Sequence, residues 1–79
     1  MNRVILVTGG FDPIHGGHIK LIRSAKKIDP PSPLCVGLNS DDWLIRKKGK
    51  FFMDFDERKE VMSGMKDVDV VIPFIDKDD

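Results

Sequence analysis

Residues 8–18 read TGGFDPIHGGH, and they follow an apolar run, VILV, at positions 4–7. A short β-branched run that ends in glycines is typical of a buried strand followed by a turn. Glycine at such a junction lets a ligand approach the main chain closely. The free N–H groups of the helix turn that follows attract anions. This stretch therefore predicts a phosphate-binding turn between a strand and a helix.

The two histidines of this stretch, His15 and His18, are three residues apart at the predicted helix start, so both can face the same side. Gly16 and Gly17 leave space between them. An imidazole there can be protonated or can donate as a neutral ring, and two such donors would clamp a reacting phosphoryl oxygen. Surface or helix-capping histidines are the structural alternative. A metal pair is a third, but no further His or Cys cluster completes a metal site.

Length and composition limit the classes of protein to consider. The chain has 79 residues, a formal net charge of zero and 41% hydrophobic residues, which predicts one small globular domain over residues 1–79. A balanced charge argues against a general polyanion binder, so we expect no nucleic-acid partner. The single cysteine, Cys35, fits a reducing compartment. No apolar run is long enough to cross a bilayer, so we expect a cytoplasmic protein without a membrane partner.

The apolar periodicity alternates between strand and helix along the chain. Predicted strands cover residues 3–8, 34–38 and 68–74, and predicted helices cover residues 17–28 and 55–66, the second with a capping box at Asp54 and Glu57. Between them, we expect a helical turn over 43–46 and then a basic loop that bends at Gly49. This order predicts an α/β fold, a Rossmann-like parallel sheet of three strands with two main helices. Ligands of such sheets bind beyond the carboxyl ends of the strands.

Two common nucleotide-binding motifs are missing from the printed sequence. It holds no G-x-x-x-x-G-K-[ST] and no G-x-G-x-x-G. The stretch GGFDPIHGGH at 9–18 instead resembles the H-x-G-H signature of the cytidylyltransferase-like nucleotidyltransferases, above all glycerol-3-phosphate cytidylyltransferase and heptose-phosphate adenylyltransferase domains. VGLNSDDWLIRKKG at 36–49 resembles the segment with that family's catalytic lysine. DFDERKEVM at 54–62 resembles its arginine-bearing helix start.

The resemblance implies roles for individual residues. His15, His18 and Lys47 would be catalytic, contacting the nucleotide's phosphates and neutralising charge during transfer. Asp12 would order the acceptor side or the loop, and Lys50 would support Lys47. The implied nucleotide-binding residues are Thr8, Gly9, Gly10, Phe11, Gly17, Lys48 and Arg58.

The implied reaction is transfer of a nucleotidyl group, with CTP as the expected donor and ATP as the alternative. The phosphate of a small phosphorylated acceptor would attack the α-phosphorus, and pyrophosphate would leave. Positioning and charge neutralisation would supply most of the acceleration. Mg²⁺ would accompany the triphosphate, without a dedicated metal site on the protein. Dimers are common in the resembled family, so we expect a homodimer or other self-association.

The printed sequence also departs from the resembled pattern. It has no Ser/Thr-rich motif of the I-S-[ST]-[ST] type, and it resembles only the N-terminal part of the family domain, so the fold is expected to be truncated. Three explanations stay open: a fragment of a longer protein, a second chain that supplies the other half, or a short protein that binds nucleotide without catalysis. The last makes a non-catalytic nucleotide-binding or assembly module the competing function.

Overall fold

The computed structural model describes residues 3–75 and shows a three-stranded parallel sheet with three helices. The α/β, Rossmann-like prediction is confirmed, with one helix more than expected. In chain order, the elements are β1 (Ile5–Gly9), α1 (Gly16–Lys26), β2 (Leu34–Leu38), α2 (Asp41–Lys48), α3 (Phe55–Ser63) and β3 (Val70–Pro73).

Strand β2 lies between β1 and β3, and its five residues are all buried. Val36 of β2 is level with Val7 on one side and Val71 on the other. An unbroken apolar strand such as LCVGL suits this central place, because neighbours cover both its edges and its faces. Pro73 cannot donate a ladder hydrogen bond, and it lies in β3, at one edge of the described sheet.

The hydrophobic core lies on one face of the sheet, beneath α1 and α3. Ile22 and Ala25 of α1 and Met62 of α3 are buried against this face. Ile22 and Ala25 are three residues apart, which places both on one apolar stripe of α1. The buried cluster consists of Phe11, Ile22, Ala25, Leu34, Val36, Leu38 and Met62.

The opposite face of the sheet carries aliphatic side chains at the surface. Leu6 of β1 is 53% exposed, and Val70 and Ile72 of β3 are exposed as well. Alternation along a strand explains this, since Leu6 and Val70 are both level with Cys35 rather than with the core residues beside it. Separately, the helices of residues 3–75 include none with the length and hydropathy of a membrane span.

The region between β2 and α3 differs from the prediction. Helix α2 runs from Asp41 to Lys48, so the expectation that the lysines lie in a basic loop is wrong for Lys47 and Lys48. The hydroxyl of Ser40 caps the helix by accepting from the Trp43 amide at 3.0 Å. Gly49 ends the helix with φ of +84°, a conformation that glycine adopts without strain.

Other element boundaries shift by a few residues. Helix α1 begins at Gly16 and ends at Lys26, and α3 ends at Ser63 rather than at 66. The predicted cap of α3 is present, with the Asp54 carboxylate accepting from the Glu57 amide at 2.8 Å. Strand β3 is shorter at both ends than the apolar run that predicted it.

Replacing Leu34 with alanine tests this core. Leu34→Ala removes a fully buried side chain from the cluster, and we expect the free energy of unfolding to fall by about 2–5 kcal/mol. Leu21→Ala is the control, since Leu21 lies in α1 but is 50% exposed, and its loss is expected to stay within about 0.5 kcal/mol. Urea unfolding followed by circular dichroism measures both. Equal losses would contradict the placement of the core.

Candidate functional site

The turn that follows β1 lies at the carboxyl end of the sheet and contains a buried aromatic residue, Phe11. Phe11 has a φ of +51°, a left-handed conformation that bulky residues rarely adopt, and its ring is buried. A Cβ added at Gly10 would come within 2.8 Å of the end of the Leu44 side chain, so glycine lets this turn lie against α2 without displacing Leu44. Strain of this kind is concentrated at functional sites.

His15 and His18 form the start of α1 as a reciprocal cap. The Nδ1 atom of His15 accepts a hydrogen bond from the Gly17 amide at 3.0 Å. The Nδ1 atom of His18 accepts one from the His15 amide at 3.2 Å. The two rings stack with their centroids 3.9 Å apart and their planes 24° from parallel. We call these two rings the histidine pair.

The surroundings of His18 disfavour its charged form. Burial lowers the pKa of His18 below its ordinary value, and the nearby His15 lowers it further. The Phe11 ring meets His18 edge-on, with the ring centroids 4.9 Å apart. Phe11 therefore connects the strained turn to the histidine pair.

The Asp12 carboxylate orders the loop between α2 and α3. Its two oxygens accept hydrogen bonds from the Phe52 amide at 2.8 Å and from the Met53 amide at 2.6 Å. Lys48 donates to the Asp12 carbonyl oxygen at 2.7 Å and lies 3.3 Å from the carboxylate. Burial alone would raise the pKa of Asp12, but these hydrogen bonds and the Lys48 charge hold it below its usual range.

The Arg58 side chain is fully buried and joins four segments of the chain. Its guanidinium donates to the main-chain oxygens of Gly10, Asn39 and Met53 at 2.7–3.0 Å. It also donates to the carboxylate of Asp41 at 2.7 Å. These acceptors follow β1, follow β2, begin α2 and precede α3, so one side chain fixes the relative positions of the loops around the site.

A family model described as Cytidylyltransferase-like matches residues 6–78. The chain belongs to the cytidylyltransferase-like family. A solved structure from Thermoplasma volcanium, titled as a lipopolysaccharide core biosynthesis protein, aligns with 99% of this chain and 62% of its own, with a TM-score of 0.80 and 34% identity.

Curated relatives of this cytidylyltransferase-like chain are longer than the chain itself. Glycerol-3-phosphate cytidylyltransferase of Bacillus subtilis is 33% identical over 69 residues, which is 87% of this chain and 52% of the relative. The bifunctional protein HldE of Haemophilus influenzae is 34% identical over 74 residues, which is 91% of this chain and 15% of the relative. The chain thus spans about half of the first relative and a small part of the second.

The residues that the resemblance assigned to this cytidylyltransferase-like site lie in three groups. His18 contacts both Phe11 and His15, and a Cβ at Gly17 would lie within 2.9 Å of the His15 ring. Lys48 joins Asp12 instead of the histidine pair. The remaining assigned residues are placed as follows: Thr8 and Gly9 end β1, Gly10 contacts α2, Lys47 and Lys50 are exposed, and Arg58 is buried.

Lys47 lies in the last turn of α2, with its ammonium group 5.7 Å from the centroid of the Trp43 ring. Lys50 lies just past the helix, 5.1 Å from the centroid of the Phe52 ring. A cation over an aromatic face is a weak attraction at exposed sites, about 0.5–1 kcal/mol, so a ligand phosphate can compete with the Phe52 ring for Lys50.

The phosphate-binding role that the resemblance gave Arg58 does not fit this arrangement. Its guanidinium is buried and already donates to four acceptors, so it supports the walls of the site rather than facing an open space. The contact of Asp41 with Arg58 could not be predicted from the sequence, because an acidic residue after a strand is also the ordinary start of a helix.

The described part of the chain contains no group of three or more His, Cys, Asp or Glu side chains placed to hold a metal ion. A cavity of about 410 Å³ lies beyond the ends of β2 and β3. Its polar lining comes from Ser40, Asp42 and Arg46, and its apolar lining from Leu38, Phe55, Pro73, Phe74 and Ile75.

The Arg58→Met variant distinguishes a structural role of Arg58 from a role in phosphate binding. Arg58→Met leaves buried carbonyl oxygens without donors, so we expect the free energy of unfolding to fall by more than about 3 kcal/mol. Lys59→Met, at the exposed neighbouring position, is the matched control and is expected to change it by less than about 0.5 kcal/mol. Urea unfolding measures both. A normally stable Arg58→Met protein that fails to bind nucleotide would instead support the phosphate role.

Acidification tests the environment of His18. Because the folded chain lowers the pKa of His18, the unfolded chain binds that proton more readily. In the unfolded chain, His18 has the ordinary histidine pKa of about 6.5. The contribution of neutral His18 to the free energy of unfolding is therefore complete above this pH and is lost as the pH falls below about 6.5 towards the lowered pKa of the folded chain. We expect the free energy of unfolding to decrease from pH 7.5 to pH 5.5, and His18→Asn to reduce this dependence. Asp12 and Asp69, whose pKa values are also lowered, contribute only in a more acidic range. A flat profile for the unsubstituted chain would contradict the assignment.

Proposed function

We propose that this chain takes part in transfer of a nucleotidyl group, from CTP, to a small phosphorylated acceptor with release of pyrophosphate. The observation that carries the proposal is the histidine pair at the first turn of α1, beside a main-chain turn that follows a parallel strand. Membership of the cytidylyltransferase-like family supports nucleotidyl transfer in general. The choice of CTP rests on the relative named glycerol-3-phosphate cytidylyltransferase, and ATP is the alternative donor.

In the proposed reaction, an oxygen of the acceptor phosphate attacks the α-phosphorus of the triphosphate, and the bond to the β-phosphate oxygen breaks. The Nε2 atoms of His15 and His18 would donate to phosphoryl oxygens whose negative charge increases in the transition state. The amides of the turn at Gly9, Gly10 and Phe11 would bind the α-phosphate. No covalent bond to the protein is needed, so positioning and charge neutralisation would carry the acceleration.

We propose different roles for the two lysines of α2, Lys47 and Lys48. Lys47 is exposed in the last helical turn, and its ammonium would move from the Trp43 ring onto phosphate oxygens when the triphosphate binds. Lys48 would act indirectly, because it already joins the Asp12 carbonyl and carboxylate. Asp12 would order the loop rather than bind the acceptor, since both its oxygens accept main-chain amides.

Mg²⁺ is expected to arrive with the triphosphate. This ion keeps several water ligands and can be held chiefly by the substrate phosphates, so it would need no dedicated cage of protein side chains. Bound in this way, it would neutralise charge on the phosphates. The cytoplasmic location and the self-association expected from the sequence stay predictions.

A second candidate function is nucleotide binding without catalysis. The observation that favours it is the length of the relatives, since the chain spans 52% of glycerol-3-phosphate cytidylyltransferase and 62% of the Thermoplasma protein.

Pyrophosphate release from the 79-residue chain tests the two candidates. The chain is incubated with Mg²⁺, glycerol 3-phosphate and either CTP or ATP. Catalysis predicts release with CTP, and we expect His15→Ala or His18→Ala to reduce the rate by about 100-fold or more, because each removes one donor to the transition state. Lys27→Ala, at an exposed position at the far end of α1, is the control and should keep the rate within about twofold.

Melting temperatures of the same samples separate the remaining outcomes. A rise with CTP or ATP, absent in His18→Ala and without pyrophosphate release, would support the non-catalytic candidate. No rise and no release with either nucleotide, from a folded sample, would overturn both candidates.

A further inference from the structure

A groove between α1 and the turn that follows α3 takes no part in the proposed function. Two adjoining cavities, of about 290 Å³ and about 250 Å³, share Arg23, Lys66 and Asp67 in their linings. We call the two cavities together the α1 groove. The rest of its lining consists of Ile19, Ile22, Lys26, Lys27, Pro30 and Met65.

The parallel topology separates the α1 groove from the histidine pair. Helix α1 begins after the carboxyl end of β1 and ends before the amino end of β2, and the turn after α3 leads to the amino end of β3. Arg23 follows His18 by five residues, a rise of about 7.5 Å along the helix. The groove therefore extends from the flank of α1 to the amino end of the sheet, away from the turn at Gly9 and Gly10.

One part of the groove is apolar and reaches the core. Ile22 is 2% exposed and belongs to the buried cluster, and Met65 packs against that cluster. Ile19 forms the outer wall and is 40% exposed. A concave, mainly apolar pocket with a few polar groups is typical of small-molecule sites. A flat protein surface would cover Ile19 without reaching Ile22, so a small ligand fits this part better than a protein does.

The other part of the groove carries cations that the chain leaves unpaired. Within residues 3–75, the side chains of Arg23, Lys27 and Lys66 form no hydrogen bond or ion pair. Asp67 is the one carboxylate of the lining, and it pairs with none of them. The groove therefore has an excess of positive charge, which attracts an anion.

Helix dipoles explain only some of these cations. A cation in the last turn of a helix is favoured by the negative end of the dipole, and this accounts for Arg23 on α1. Lys66 lies three residues beyond the end of α3 and on the opposite wall of the groove. Its convergence with Arg23 on one cavity needs another explanation, which a bound anion would supply.

Lys26 holds the base of the groove in place. Its ammonium donates to the Ser32 carbonyl oxygen at 2.8 Å and to the Asp69 carboxylate at 3.0 Å. The same carboxylate accepts from the Leu34 amide at 2.7 Å. These bonds join α1, β2 and the segment before β3, so the walls of the groove are preformed. Because Asp69 is already engaged, it does not neutralise the unpaired cations.

We propose that the α1 groove binds an organic phosphate, a ligand that joins an apolar body to a phosphate dianion. The apolar body would lie on Ile19 and Met65, and the phosphate would accept hydrogen bonds from Arg23 and Lys66. A guanidinium can donate two parallel hydrogen bonds to a phosphate. A dianion also suits three unpaired cations better than the single charge of a carboxylate does. This site is separate from the one at which the proposed reaction takes place.

Binding of 1-naphthyl phosphate tests the proposal. The probe is titrated into the ¹⁵N-labelled 79-residue chain while the main-chain amide resonances are followed. We expect the amides of residues 23–27 and 65–67 to shift. Inorganic phosphate and 1-naphthol each carry one half of the probe, and both should bind at least about tenfold more weakly. No shift, or shifts confined to residues 9–18 around the histidine pair, would overturn the proposal.

Methionine variants test the cations, because methionine removes the charge and keeps an apolar stem. We expect Arg23→Met and Lys66→Met each to weaken binding of 1-naphthyl phosphate at least about fivefold. Lys20→Met is the matched control, since Lys20 is an exposed cation of α1 outside the groove, and should stay within about twofold. Equal affinity in all three variants would overturn the proposal.

Serine variants test the apolar part. We expect Ile19→Ser to weaken binding of 1-naphthyl phosphate at least about threefold and to leave binding of inorganic phosphate unchanged. Leu21→Ser is the control, because Leu21 is 50% exposed on α1 and does not line the groove. Melting temperatures show that both variants are folded. An unchanged affinity of Ile19→Ser for the naphthyl probe would contradict the apolar contact.

Sedimentation velocity tests the competing occupant, which is a second copy of the chain. A dimer that Ile19→Ser and Lys66→Met both disrupt would show that the groove is an interface between copies, and would overturn the proposal. The result does not depend on the proposed function. We expect His15→Ala to bind 1-naphthyl phosphate within about twofold of the unsubstituted chain, even if neither CTP nor ATP binds at the histidine pair.

Discussion

The buried guanidinium of Arg58 is the interaction on which the site depends. A charged group without water is costly unless its donors all find acceptors, and here its donors reach three main-chain oxygens and one carboxylate. Those acceptors follow β1, follow β2, begin α2 and precede α3. Because Gly10 and Asn39 follow neighbouring parallel strands, one planar group fixes the distance between the two strand ends that border the site. The sheet determines the direction in which the loops leave the strands, and the hydrogen bonds of Arg58 hold the loops at a fixed distance from one another.

The histidine pair depends on this support through the turn at residues 9–12. Phe11 lies between the Arg58-bound carbonyl of Gly10 and the loop-ordering carboxylate of Asp12, and its ring meets His18. The left-handed backbone at Phe11 costs about 1–3 kcal/mol, which the surrounding contacts offset. The histidines then replace the usual Ser or Asp cap at a helix start. One pair of rings thus caps the helix start through Nδ1.

The fold could be predicted from the sequence because it rests on periodic apolar patterns. LCVGL at residues 34–38 is the central strand with the predicted bounds, since an unbroken apolar run between turn residues has few other places in an α/β domain. The contact of His15 with His18 follows from helical spacing. The length of α2 did not follow, because charged residues dominate DDWLIRKK and its stability comes from the Ser40 cap and the Gly49 end. The role of Arg58 could not be predicted either, since three of its four acceptors lie 17 to 48 residues away and three are main-chain atoms that carry no residue signature.

The Arg58 guanidinium and the Asp12 carboxylate both bind the short segment before α3. Met53 takes part in both sets, donating its amide to Asp12 and accepting from Arg58 through its carbonyl. The wall formed by the β1 turn and this segment therefore cannot open without breaking hydrogen bonds to both charged groups. A molecule that enters the site must fit a preformed opening, so selection among nucleotides would follow from shape and charge at first encounter rather than from closure around a bound guest.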